Sequence, residues 1–407
     1  MEHTPVDVII VGAGPGGGTA AYYLGEAGKS VLVLEKERLP RYKPCGGGLS
    51  AAMLAKWFPF SFEPVFDNQP DEITYAFGQW KLRHPVLDRS MRMVRRADFD
   101  AYLIKHARAE VRAGVAVTKV TETPDGVMVE AADGSIYRAR YLIGADGANS
   151  VVARAVGLHR RRQSYPALEA EAHVPPDVLQ RFAKSAWFIV GRVNYGYLWI
   201  FPKSDHLSVG IAAKRPKAGE LQAKLKKVMA EYGVSLDDAT LRGHLLPFYT
   251  HPEPIVTRRT LLVGDAAGLI DPLTGEGIRP AIKSGYWAAQ AILSEDLRSY
   301  QGHIFWNIGL SHMVGAFIAW LFYLLQPLAF VLMVPNPEAT ACCLDMLADR
   351  AEYPEAVLRA VGTLPLFWGV GIVRFLSGFA RGRRRRPQAA ASDHPDSSAS
   401  VSPTQNS

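Results

Sequence analysis

Cys45 stands directly before Gly46, Gly47 and Gly48 in PRYKPCGGGLS, residues 40–50, and is one of three cysteines in 407 residues. A thiol there can ligate a metal, form a disulfide, act as a nucleophile or line a cofactor site. Cys342 and Cys343 are adjacent, a spacing that rarely pairs, and the odd count reads as a reducing compartment. The chain has no C-x-x-C or H-x-x-x-H, so no metal site is expected. A nucleophile wants an adjacent base, and no motif brings any of the eleven histidines to Cys45. The cofactor wall remains, with glycines that let backbone approach a flat ring.

Gly12, Gly14 and Gly17 make G-x-G-x-x-G, with Gly16 inside it. The buried run VDVIIV precedes them, a helix pattern follows, and Glu35 ends the next apolar run, VLVLEK. This context turns a weak motif into a dinucleotide fingerprint: Gly12 for the tight turn, Gly14 for approach to a diphosphate, Gly17 for close helix packing. The diphosphate would sit at the helix N-terminus and Glu35 would accept from a ribose hydroxyl. Glu35 also disfavours a 2′-phosphate. Arg96 opens a helical run, where it can reach phosphate or ribose. In LVGDAAGLIDPLTGEGI, residues 262–278, Asp265 follows a buried strand among small residues. Gly275, Gly277 and Ile278 then lead into a helix whose N–H groups would favour negative charge.

These residues need a scaffold. The opening pattern is a β-turn-α-β unit. Residues 96–113 read as an amphipathic helix, 115–143 as an antiparallel meander, and YLIGADGANS as a further buried strand. SAWFIV, YGYLWIFP and HLSVGIAA are aromatic-rich, strand-like segments between residues 160 and 255. The fold class is therefore α/β, α+β overall, with a discontinuous Rossmann-type layer and an inserted antiparallel sheet. The opening apolar run lacks a basic leader and reads as a strand, not a secretory signal.

The net charge of +7 is local. Arg381 and Arg383 to Arg386 supply +5 and Asp393 and Asp396 return −2, so residues 1–380 carry an ordinary +4. A basic run beside apolar sequence suits an anionic membrane surface better than nucleic acid, and no nucleic-acid partner is expected. Residues 299–337 contain no Asp, Glu, Lys or Arg. Within them, 308–334 is long enough to cross a bilayer, but Gln326-Pro327 breaks the pattern. An interfacial helix pair is the preferred reading, ahead of a cover over the substrate channel and of a true span. Residues 387–407 have a disordered composition.

GAGPGGG, Glu35, Arg96 in RADFD, GADGANS and GDAAGLIDPLTGEGI together resemble the p-hydroxybenzoate-hydroxylase-type FAD enzymes. PRYKPCGGGLS and the Y-x-W-x-F-P pattern of Tyr197, Trp199, Phe201 and Pro202 narrow the resemblance to the geranylgeranyl reductase family, over about residues 6–295. That resemblance implies FAD and reduction of isolated C=C bonds in prenyl chains of lipids, quinones or (bacterio)chlorophyll precursors. It implies that Gly12, Gly14, Gly16 and Gly17 hold the diphosphate, Glu35 the adenosine ribose, and Arg96 the ribose–phosphate side. Val120 would meet the adenine through its backbone, and Asp265 the diphosphate–ribityl region. Cys45, Gly46 and Gly48 would border the isoalloxazine, with Gly275, Gly277 and Ile278 at its pyrimidine edge. Tyr197, Trp199 and Phe201 would line the prenyl channel. Cys45 would either deliver a proton or shape the pocket, and Tyr197 or Trp199 would stabilise positive charge.

The expected organisation is an FAD-binding domain at 1–60, 90–160 and 255–298, and a β-rich substrate domain at 61–89 and 161–254. An apolar helical region at 299–380, membrane-associated or channel-covering, and a basic then disordered tail at 381–407 follow. No second G-x-G-x-x-G lies in a strand–helix context, so the electron donor is NAD(P)H docking transiently or a ferredoxin-like protein. The expected place is the cytoplasmic side of the membrane. Two other readings share the fold: a flavin monooxygenase or halogenase, and a non-catalytic flavoprotein that binds prenyl lipids. The segment YLWIFP lacks the W-x-W-x-I-P form usual in such halogenases.

Overall fold

The computed structural model describes residues 4–86, 90–158 and 163–363. Strand Val6–Val11 is nearly all buried and lies between Val31–Glu35 and Ile136–Gly144, parallel to both. β-branched residues with both faces covered make this the centre of the first sheet. Seven strands form it: Glu110–Ala113, Val31–Glu35, Val6–Val11, Ile136–Gly144, Val127–Ala131 and Val117–Glu122 in spatial order, with Thr260–Leu262 parallel to the end of Ile136–Gly144. The meander and the strand YLIG are thus one element. Residues 136–139 pair antiparallel with the neighbouring hairpin strand, and 139–144 pair parallel with the first strand.

The helix expected over 96–113 ends at Lys105, and Glu110–Ala113 becomes an edge strand beside Val31–Glu35. Gly114, at φ +81°, closes that strand in a conformation that costs a residue without Cβ little. Helix Pro15–Glu26 packs on helix Ile278–Leu293 at a glycine crossing. A Cβ on Gly285 would stand 2.3 Å from the carbonyl oxygen of Gly16.

The second sheet also has seven strands: Arg242–Phe248, Gln163–Ala172, Leu207–Ala213, Gly196–Pro202, Ser185–Val190, Glu72–Phe77 and Trp80–Pro85. Helix Glu220–Glu231 covers one face with Leu225, Val228 and Met229, and on the other face Trp199 and Phe201 cluster with Met91 and Met93. A small third sheet joins Gly48–Ser50, Met91–Val94 and Phe66–Asn68. Residues 61–86 are therefore shared: Phe66–Asn68 pairs with Met91–Val94, whereas Glu72–Phe77 and Trp80–Pro85 extend the second sheet.

The apolar C-terminal region is helical over Leu297–Leu324, long and apolar enough to cross a membrane, with a π-helical turn at Phe305–Gly309. It breaks at Leu325, before Pro327, into Gln326–Met333, and Pro337–Leu347 follows. Helix Leu310–Leu324 has two apolar faces. Ile318, Phe322 and Tyr323 line a cavity within the protein, while Phe317, Trp320, Leu321 and Leu324 are exposed. The arginine run and the tail lie outside the described residues.

Candidate active site

A cavity of about 710 Å³ runs from the glycine-rich turn to the C-terminal helices. At its first end, Gly12, Gly14 and Gly16 form the wall. Gly12 has φ +103°, and a Cβ there would meet the carbonyl oxygen of Ala145 at 2.3 Å. Gly17 stands behind the wall: its Cβ would lie 2.0 Å from Gly12 O, so its part is to let the helix sit close to the turn. The helix begins at Pro15 with no side chain capping it.

Two guanidinium groups face this turn. A Cβ on Gly14 would lie 3.8 Å from Arg41 Nη2 and 3.9 Å from Arg96 Nη2. Arg96 is buried and clamped by Asp100, Nε to Oδ1 at 2.9 Å and Nη2 to Oδ2 at 2.8 Å. Burial lowers its pKa, but Asp100 and the Cys45 thiol more than offset this and hold the guanidinium charged. Arg41 Nε is 3.3 Å from Glu35 Oε2, while its buried Nη1, 3.1 Å from Asp100, lacks the geometry of a hydrogen bond. Glu35 is fixed by N–H groups, Ala13 donating to Oε2 at 2.9 Å and Glu37 to Oε1 at 3.1 Å. An uncapped helix N-terminus under two guanidiniums, one with an unused donor, fits a diphosphate. Arg41 did not stand out in the sequence, although it lies within PRYKPCGGG.

Val115, Ala116 and Val117 continue the wall; Val120 does not. It sits three residues further along its strand, paired with Val129, and its side chain belongs to the core of the first sheet.

At the middle of the cavity the structure brings together Cys45, Gly46, Gly48, Asp265, Gly275, Gly277 and Ile278. Gly47 N donates to Cys45 Sγ at 3.3 Å. The glycine run fits under aromatics: a Cβ on Gly46 would lie 2.6 Å from Phe201 Cδ2 and 3.3 Å from Trp199 Nε1. Asp265 Oδ2 is 3.4 Å from His244 Nε2 and 3.8 Å from Lys43 Nζ. Burial would raise the Asp265 carboxyl, but His244 and Lys43 hold it below its ordinary value. Burial in turn lowers the Lys43 ammonium, with Asp265 opposing. Lys43 and His244 were not singled out from sequence; Lys43 belongs to the same stretch as Cys45, whereas His244 arrives from a strand about two hundred residues away.

Tyr197, Trp199 and Phe201 carry the wall into the apolar half, with Tyr75 and Phe188 beside them. Alternation in strand Gly196–Pro202 points all three to one face. Tyr197 donates its hydroxyl to the carbonyl oxygen of Thr274, tying the aromatic strand to the Gly275 loop. The indole N–H of Trp199 is buried and has no hydrogen-bond partner among the described residues. Thr340, Cys343 and Leu344 join Phe322 and Tyr323 in closing the far side.

Residues 5–194 match the FAD binding domain family model. The chain is 34% identical over 346 residues to an uncharacterized protein of Methanosarcina barkeri, covering 81% of this chain and 86% of that one. It is 30% identical over 319 residues to the chloroplastic geranylgeranyl diphosphate reductase of Oryza sativa, covering 70% of this chain, and it spans 66% of that enzyme's length. It is 27% identical over 328 residues to the menaquinone reductase of Mycobacterium tuberculosis, covering 72% and 77% of the two chains. The crystal structure of a geranylgeranyl bacteriochlorophyll reductase-like protein from Thermoplasma acidophilum shares the fold, at 24% identity and TM-score 0.74, over 89% of this chain and 97% of that one. With the cofactor groove and the motifs along its wall, these likenesses identify the chain as a member of the geranylgeranyl reductase family, an FAD-dependent oxidoreductase.

Proposed function

We propose that this protein saturates isolated C=C bonds in the polyprenyl chain of a lipid or quinone. The observation that carries this reading is the continuity of one cavity, from the diphosphate turn past Cys45 to an apolar channel walled by Tyr197, Trp199 and Phe201. A straight hydrocarbon chain needs such a channel, with few polar groups and aromatic faces. Relatives named for geranylgeranyl diphosphate and for menaquinone support the prenyl chain as the shared feature, since their headgroups differ.

Bound FAD, when reduced, supplies the hydride. The chain's residues must do the rest. An isolated alkene has no carbonyl to drain charge, so protonation at one carbon leaves positive charge on the more substituted one. The faces of Tyr197 and Trp199 stabilise such charge by about 1–2 kcal/mol in a dry site. The exposed apolar face of helix Leu310–Leu324, at Phe317, Trp320 and Leu324, suits docking on the cytoplasmic surface of a membrane, with the opposite face covering the channel. This combines the interfacial and the channel-covering readings. NAD(P)H in transient contact or a ferredoxin-like protein supplies the electrons.

The test is anaerobic. Protein reduced with dithionite is mixed with geranylgeraniol or a short-chain menaquinone. Flavin reoxidation coupled to gain of two hydrogens by the prenyl chain supports the reading. No reoxidation without oxygen, with oxygenation of an aromatic substrate when air is admitted, overturns it in favour of a monooxygenase.

A further inference from the structure

A side cavity of about 70 Å³ lies behind Cys45. Tyr42, Lys43, Cys45 and Glu169 face both it and the main cavity, while Lys203 and His206 face only the side cavity. Glu169 is 4% exposed. The Tyr42 hydroxyl donates to its Oε2, and Ser208 Oγ donates to Oε1 at 3.0 Å. Glu171 and His206 line the same side cavity as Glu169. His206 Nδ1 is 2.6 Å from Asp205 Oδ1 and Nε2 is 3.8 Å from Glu171 Oε1, and both carboxylates are at least two-fifths exposed.

Burial pushes the Glu169 carboxyl up to about 7; the hydrogen bonds from Tyr42 and Ser208 oppose this and Glu171 adds to it. Glu171 is the charged neighbour on its own strand, and Arg242 is its register partner on the next strand. Lys203 and His206 approach from the turn before strand Leu207–Ala213, Lys43 from the loop before Cys45, and Arg95 and Arg96 from the start of their helix. An acid that only fastened Tyr42 would gain from being ionised. Burial holds this one well above the ordinary carboxylate range, and it faces the site on one side and the side cavity of His206 on the other.

We propose that Glu169 is the proton reservoir of this site, holding as a carboxylic acid the proton that alkene saturation consumes and passing it toward the Cys45 wall. The inference rests on the prenyl-reductase reading. Saturation breaks the π bond and forms two C–H bonds. The hydride, with both electrons, comes from reduced flavin, and the proton comes from Glu169, which becomes a carboxylate and is refilled from water by way of His206 and Glu171. Glu169 acts through the groups at the Cys45 wall and is a positioning residue.

The test uses the FAD-loaded full chain and Glu169→Gln, each reduced anaerobically and mixed with geranylgeraniol or a short-chain menaquinone between about pH 6 and 8.5. The wild-type rate should fall about tenfold per unit above pH 7. The variant should be slower at pH 6 by on the order of 10²-fold and flat with pH. The infrared spectrum of the wild type should show a buried carboxylic acid band that titrates near pH 7 and is missing in the variant, with flavin content equal in both. A variant that matches the wild-type rate and pH profile overturns the proposal, as does an ionised Glu169 at pH 6. If the variant does not fold, a wild-type profile without the limb near pH 7 overturns it. If the wild type reduces neither probe, the prenyl reading fails, and the infrared titration still decides the state of Glu169.

Discussion

Lys203 sets its ammonium 2.7 Å from the carbonyl oxygen of Gly46. The same nitrogen donates to Val94 O at 3.0 Å, so one buried cation fastens the glycine run to the small third sheet. Burial pushes Lys203 down to about 8, with Cys45 and Asp67 opposing. Lys203→Met removes both bonds, one to a part-buried carbonyl and one to a buried carbonyl. The expected loss is about 1–3 kcal/mol of stability, the relief of lysine desolvation offsetting part of the cost. Thermal melting reads it, and flavin retained per chain after gel filtration should fall in parallel.

Arg41 should matter for cofactor affinity more than for folding. Its Nη2 faces Gly14 at the turn, and Arg96 keeps its own bidentate hold on Asp100 without it. Arg41→Met should weaken FAD binding about 10- to 100-fold, the scale of one or two charge-assisted hydrogen bonds. Titration of the apoprotein with FAD, followed by flavin fluorescence, gives the ratio. A melting temperature of the apoprotein close to that of the wild type separates this from general destabilisation.

Much of the cofactor groove was legible because its residues come in short local motifs. The Gly12 turn and the Asp265–Ile278 loop each follow a buried strand and Glu35 ends one, and parallel strands deliver such positions to one edge of a sheet. What was illegible arrives by tertiary routes. Glu169 and His244 sit on adjacent strands of the second sheet, and alternation alone does not say which face meets the cofactor. Residues 110–113 looked helical because their charges continue a helical pattern. Pairing with Val31–Glu35 overrides that local preference. Composition offers helix Leu310–Leu324 as an interfacial element, a channel cover or a span, and is silent about which apolar face looks inward.

Gly210 gives the indole of Trp199 its place. A Cβ on Gly210, its register partner on the next strand, would stand 2.0 Å from Trp199 Cζ2, far inside contact distance. Gly210→Ala should drive the indole into the channel. The expected result is a fall in the rate of alkene saturation of about tenfold or more, with FAD content near that of the wild type. Trp199→Leu should likewise slow saturation while leaving flavin bound. Loss of flavin in either variant would place Trp199 in the cofactor's support instead.

His312 couples the C-terminal helices to the loop that carries Gly275. It is 1% exposed, and its Nε2 lies 3.9 Å from Asp271 Oδ2. Asp271 Oδ1 accepts from Tyr353 Oη at 2.8 Å and from the N–H groups of Leu273 and Thr274 at 2.9 and 3.0 Å. Burial pushes His312 down to about 4; Arg279 and Lys283 lower it further, and Asp271 and Glu352 oppose. The unfolded chain takes up this proton near pH 6.5, and the folded protein only near 4. Neutral His312 therefore contributes fully above pH 6.5, and its contribution is lost as pH falls from 6.5 to 4, up to about 3 kcal/mol. Urea unfolding of the wild type at pH 7.5 and 5 should show this loss over and above that of His312→Gln, which has no proton to take up. Equal pH slopes in the two proteins would mean that the imidazole is charged, or solvated, in the folded state. A larger wild-type slope, together with faster proteolysis after Leu324 at pH 5, would place the acid-labile joint between the channel cover and the Asp271 loop.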